Sequence, residues 1–199
     1  MYNSSLKNHG KDIQYVGKHL ELPDKVFFND MSKTYMRKPF KTCDCVYSEI
    51  AWLYGYKGFN EKASNTPNGY MEYVDNIERL ITELHVPSFI VCGKNIKSHF
   101  PDAKATPIKI TTSEQDIAGC TLYCWNYDYD MSAFGDTDNL TWFLSTQFKK
   151  CLDFSCGYGQ HLLKFKDFVG CDINRDCLTY LSVLASRKGD RNGSSTQGD

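Results

Sequence analysis

The tightest constraint on the fold lies near the C-terminal end. There Cys151-Leu152-Asp153-Phe154-Ser155-Cys156-Gly157-Tyr158-Gly159 is followed by Phe168-Val169-Gly170-Cys171-Asp172. An apolar run entering a glycine turn, a short connecting stretch and a second apolar run ending in a carboxylate predict adjacent parallel strands joined by a crossover. Small residues at the turn let the backbone approach a ligand, and the N-terminus of a short helix at 160–165 faces the same place. A carboxylate at the end of the second strand is placed to accept both hydroxyls of a ribose. Dinucleotide sites use three glycines and seat a pyrophosphate on the helix. Here the third glycine is missing, the gap from Gly159 to Asp172 is short, and Asp153 before the turn would repel a phosphate. A ligand with a cationic amino-acid group suits Asp153 better.

The rest of the chain supplies the sheet that such a turn requires. Residues 25–29 and 43–48 read as short strands. Residues 52–69 are rich in Gly, Asn and aromatics without helical period, and read as a long loop. Tyr73, Val74, Ile77, Leu80, Ile81 and Leu84 recur at three- and four-residue steps and predict a helix. The apolar run 86–92 follows as a strand buried on both faces, and a short helical stretch leads from Gly93 to Phe100. Residues 107–112 and 121–126 alternate as an antiparallel pair, 127–139 reads as an acidic, aromatic loop, and 140–149 as a helix. The last helix takes Asn174 as its cap and Arg187-Lys188-Gly189 as its stop. Strands alternating with helices predict an α/β fold: a Rossmann-like sheet, mostly parallel with an antiparallel strand pair, helices on both faces. The predicted organisation is an irregular arm over 1–22, one domain over 23–189 and a disordered tail over 190–199.

Composition narrows the function. A formal net charge of -1 in 199 residues provides no global basic field for nucleic acid, so a polyanion would need a local patch; Lys33, Arg37, Lys38 and Lys41 are the candidate. The nine cysteines lie mostly in or beside apolar runs, as reduced core thiols do, and Cys43-x-Cys45 and Cys120-x3-Cys124 lack zinc-knuckle spacing. No metal site is expected. The polar N-terminus lacks the apolar core of a signal peptide, and no stretch approaches a membrane span. A cytoplasmic location without membrane contact follows as an expectation.

Asp153-Phe154-Ser155-Cys156-Gly157-Tyr158-Gly159 with Val169-Gly170-Cys171-Asp172-Ile173-Asn174 resembles the S-adenosylmethionine (SAM) signature of class I methyltransferases. The resemblance implies SAM as cofactor. Asp153, Phe154, Ser155, Gly157 and Gly159 would hold the methionine part, Asp172 the ribose, and Asn174 would neighbour the adenine. The turn lies late in the chain, an order that resembles the permuted amino-methyltransferases, which include DNA adenine N6-methyltransferases. In those, Asp/Asn/Ser-Pro-Pro-aromatic ends a strand in the N-terminal half. Glu49-Ile50-Ala51-Trp52 stands in that place, keeping an acid and an aromatic and losing both prolines. Asp30, after a short strand, matches the acid that approaches the SAM adenine, and Tyr54, Tyr56 and Phe59 lie in the stretch that resembles a mobile loop over the target base. The resemblance spans roughly residues 25–186, with only the SAM turn sharp.

The chemistry such a motif performs explains why the altered residues matter. An exocyclic base amine is a poor nucleophile. The enzyme accepts hydrogen bonds from it through the first side chain and the next carbonyl, here Glu49 and Ile50, while the aromatic, here Trp52, stacks on the extruded base. Proline fixes that carbonyl inward. Glu49 is one methylene longer than Asp, and Ile50-Ala51 leaves the turn less rigid. Three readings therefore stand: a SAM-dependent N-methyltransferase of a nucleobase amine, adenine N6 in DNA first; a catalytically silent SAM-fold binding or assembly subunit; and a methyltransferase of another acceptor. Because no recognition module is visible in the sequence, the protein is expected to show low sequence selectivity, to act on short sites, or to draw target recognition from a protein partner or a second copy.

Overall fold

The computed structural model describes residues 26–28, 36, 38–50, 69–93, 100–112, 116–172 and 174–193. Apolar alternation and punctuation produce strands β1 (Val26–Phe28), β2 (Cys45–Ile50), β3 (Ser88–Cys92), β4 (Lys104–Thr111), β5 (Asp116–Trp125), β6 (Lys150–Asp153) and β7 (Asp167–Asp172). The helices are α1 (Gly69–Leu84), α2 (Thr137–Gln147) and α3 (Arg175–Gly193). The strands form a seven-stranded sheet in the order β1-β7-β6-β2-β3-β5-β4. From β1 to β3 every neighbour is parallel; β5 runs antiparallel to both β3 and β4.

Alternation along β2 sorts its side chains between two cores. Val46 and Ile50 pack on one face with Ile77, Leu80 and Ile81 of α1. Cys45 and Tyr47 pack on the other with Leu140 and Leu144 of α2 and Leu178 and Leu181 of α3. Helices thus cover both faces, and β3, buried at every residue, is apolar from Phe89 to Cys92 as suits a doubly covered strand. At the far edge, β4 alternates exposed and buried residues and carries Pro107, which an edge strand tolerates because one side of its ladder needs no donor. All nine thiols are free and buried. Burial pushes Cys43 and Cys177 up to about 12, so they pack as apolar groups rather than as nucleophiles.

Three local expectations are corrected. The helix expected over 140–149 begins at Thr137, because the Asp136 carboxylate caps it by accepting from Asn139 N at 2.8 Å. The helix expected over 160–165 shrinks to a 3-10 turn, Leu162–Lys164, since β7 begins at Asp167 and leaves no room for a longer one. The stop expected at Gly189 does not hold: α3 continues to Gly193, into the stretch read as a tail. A single helical glycine costs about 1 kcal/mol relative to alanine, too little to end a helix alone. Lys38 and Lys41 are exposed on a 3-10 turn, whereas Lys33 and Arg37 lie outside the described residues.

The sheet order also fixes where a ligand can sit. From β6 the chain moves to β7 on one side, while β2 leads to β3 on the other. The β6/β2 boundary is therefore a topological switch point, and open α/β sheets form their binding crevice outside the carboxyl ends of strands at such a point. Asp153 ends β6 and Glu49 lies next to the end of β2, beside that boundary.

Candidate functional site

Asp153 is 5% exposed. Its Oδ1 accepts from Ser48 Oγ at 2.7 Å, across from β2, and from Ser155 N at 3.0 Å. Both donors converge on one oxygen, and Oδ2 has no partner among the described residues. Burial pushes the Asp153 carboxyl up to about 8; the Ser155 and Ser48 hydrogen bonds oppose that rise, while Glu49 and Asp172 add to it by repulsion. With no cation beside it among the described residues, burial favours the protonated form of this group.

The turn then carries the chain from β6 to β7. Cys156 N donates to Cys171 O at 2.9 Å and Gly159 N to Cys156 O at 2.8 Å, tying the turn to the second strand. Gly157 and Gly159 have φ of 49° and 74°, the left-handed region that disfavours side chains. They differ in surroundings. A Cβ on Gly159 would run into Leu181 of α3, whereas one on Gly157 would meet nothing within 4 Å. Gly159 is a packing glycine, and Gly157 faces open space. The Phe154 side chain is buried in the α1-side core.

Asp172 binds the turn from the other side. Its Oδ2 accepts from Gly157 N at 2.7 Å and its Oδ1 from Asn174 N at 2.8 Å. Asn174 caps α3, its Oδ1 accepting from Asp176 N at 3.0 Å. The expected helix N-terminus behind the turn is replaced by this carboxylate-to-backbone tie, because only a 3-10 turn follows. Asp153 and Asp172 stand at the ends of adjacent parallel strands with the turn between them.

Glu49 sits on the same edge. Its Oε1 accepts from Tyr47 Oη at 2.6 Å and lies 2.9 Å from His161 Nε2. Ile50, the last residue of β2, is buried in the core. Asp30, Trp52, Tyr54, Tyr56 and Phe59 lie outside the described residues. Three partners were not selected from the sequence: Ser48, Tyr47 and Thr141. Tyr47 and Glu49 share a strand face by their two-residue spacing, a signal present in the sequence. Ser48 reaches Asp153 over 105 positions, which no local pattern reveals.

The strand order, the glycine turn between β6 and β7 and the helices on both faces together give an open Rossmann-like α/β sheet, mostly parallel, with β5 antiparallel to both of its neighbours. Among solved structures the chain is similar to one titled "crystal structure of M1.HpyAVI-SAM complex", at 9% identity and a TM-score of 0.48, over 81% of this chain and 98% of that one. It is similar in the same degree to "crystal structure of M1.HpyAVI", at 10% identity, a TM-score of 0.48 and the same shares of both chains. No family model matches the chain. No curated protein matches it in sequence.

Proposed function

We propose that this protein binds SAM at the β6–β7 turn and transfers its methyl group to a nucleobase amine, with adenine N6 in DNA as the first acceptor to test. The observation that carries the reading is Asp153: a buried carboxylate with one oxygen taken by neutral donors and, among the described residues, no partner on the other and no cation beside it. The α-amino group of SAM supplies that missing charge. Asp172, already aligned by Gly157 N and Asn174 N, takes the ribose hydroxyls. Gly157 leaves the space a close ligand needs.

In this reading Glu49 accepts a hydrogen bond from the acceptor amine through Oε2 and the Ile50 carbonyl accepts another, drawing the nitrogen toward a geometry that exposes its lone pair to the sulfonium methyl. Trp52, Tyr54, Tyr56 and Phe59 are assigned on sequence grounds to stacking the base, and Asp30 to the adenine of SAM. Bound SAM supplies the electrophilic methyl group; the chain supplies orientation and charge. Target recognition falls to a protein partner or a second copy. No helix among the described residues is long and apolar enough to cross a membrane; with the buried free thiols this supports a cytoplasmic assignment.

Labelled SAM incubated with unmodified DNA tests the reading. Methyl incorporation that falls with Glu49→Ala supports it. SAM binding without transfer to any acceptor would favour a silent assembly subunit, in which Glu49 serves only its contacts to Tyr47 and His161. Transfer to a non-nucleic-acid acceptor would retain the site and replace the substrate.

A further inference from the structure

A buried line of polar side chains leads away from Glu49. His161, 7% exposed, stands between β2 and α2. Its Nε2 lies 2.9 Å from Glu49 Oε1 and its Nδ1 3.1 Å from Thr141 Oγ1. Tyr47 meets the imidazole edge-on, with centroids 5.5 Å apart.

These contacts hold the ring in place. Thr141 Oγ1 also meets Thr137 O at 2.7 Å and Asp138 O at 3.1 Å and accepts from Lys164 Nζ at 2.7 Å, which ties the Nδ1 side to α2. Gln160 Nε2 lies 3.0 Å from His161 Nε2 and donates to Thr111 O at 3.5 Å. Glu49 faces the ring from β2, and Lys164 is bonded to Asp138 of α2.

We propose that His161 is the positioning residue of Glu49: its Nε2, with Tyr47 Oη, fixes Oε1 and leaves Oε2 to meet the acceptor amine. This rests on the reading of Glu49 given above. It also supplies a substitute for the lost proline pair. Where the family motif makes the turn rigid through the backbone, this chain braces the carboxylate through its side-chain partners. A carboxylate misplaced by about an ångström loses on the order of 100-fold in rate. His161 touches neither acceptor nor SAM in this scheme and acts only through Glu49.

The test uses the full chain, 15N-labelled, at pH 7 without ligand, with the His161 ring signals assigned by their loss in His161→Gln. Glu49→Gln should move the Nε2 signal of the ring. An unmoved signal overturns the proposal. In the transfer assay His161→Gln, which keeps a neutral donor, should lower kcat about tenfold or more with the SAM Kd within about twofold. An unchanged kcat overturns the positioning role. Should that variant fail to fold, Tyr47→Phe removes the other donor to the same oxygen; it should lower kcat, and an unchanged kcat counts against the proposal equally. Absence of transfer by the wild-type protein would sink the methyl-transfer reading and the use of the pair in it, while the nitrogen shifts, read without ligand, still decide whether the pair exists.

Discussion

Asp153 on β6 and Glu49 on β2 are two solutions to the same problem on neighbouring strands. Each has one oxygen that takes two partners and another with none among the described residues. The difference lies in those partners. Asp153 receives a serine hydroxyl and a backbone amide, both neutral, and burial pushes it up to about 8. Glu49 receives a tyrosine hydroxyl and an imidazole. Burial disfavours the ionised form of a carboxylate, and a cation beside it favours that form. No cation stands beside Asp153 among the described residues, so a cationic ligand there would favour its ionised form.

The largest effect is expected where the turn is packed. Gly159→Ala places a Cβ against Leu181 at a φ of 74° and should cost about 3 kcal/mol of stability by denaturant unfolding; a cost under about 1 kcal/mol would mean that Leu181 yields and the turn is not clamped. Next, Glu49→Gln should cut transfer on the order of 100-fold with SAM affinity unchanged. A fall in SAM affinity instead would merge the two carboxylates into one pocket and erase the contrast between them.

Asp153→Asn sharpens the comparison from the other side. It should weaken SAM binding roughly tenfold, the loss of one charge-assisted contact, and it should change how stability depends on pH. With its native pKa raised above the unfolded value, Asp153 makes the folded state hold a proton that the unfolded chain has lost between about pH 4 and the raised value of about 8. Its contribution is therefore full at low pH and declines as pH rises through that window. Unfolding curves of Asp153→Asn should lack this decline, and an identical slope in both proteins would contradict the raised pKa. The smallest effect belongs to Gly157→Ala, about 1 kcal/mol of strain from its positive φ with no clash, readable as a small drop in unfolding midpoint.

Much of the fold was legible because its signals are local. The apolar run ending at Asp153, the second ending at Asp172 and the period of α1 are patterns of adjacent residues, and each appears in place. The cap at Asn174 was legible for the same reason. The cap at Asp136 was missed because acids and aromatics fill the preceding stretch and mask one capping residue among several. What joins Asp153 to Ser48, or Lys149 and Lys150 to the Asp44 carboxylate, spans more than 100 positions and exists only once β2 lies beside β6. The same holds for His161, whose partners come from β2 and α2.

Calorimetry of SAM binding to the full chain at pH 7, repeated in buffers of different ionisation enthalpy, addresses the claim about Asp153 most directly. A carboxyl protonated in the unliganded protein and ionised beside the ligand's ammonium must give up its proton on binding. The account predicts saturable binding with release of roughly one proton, abolished in Asp153→Asn. No binding at millimolar SAM, or binding with the same proton balance in both proteins, would contradict it.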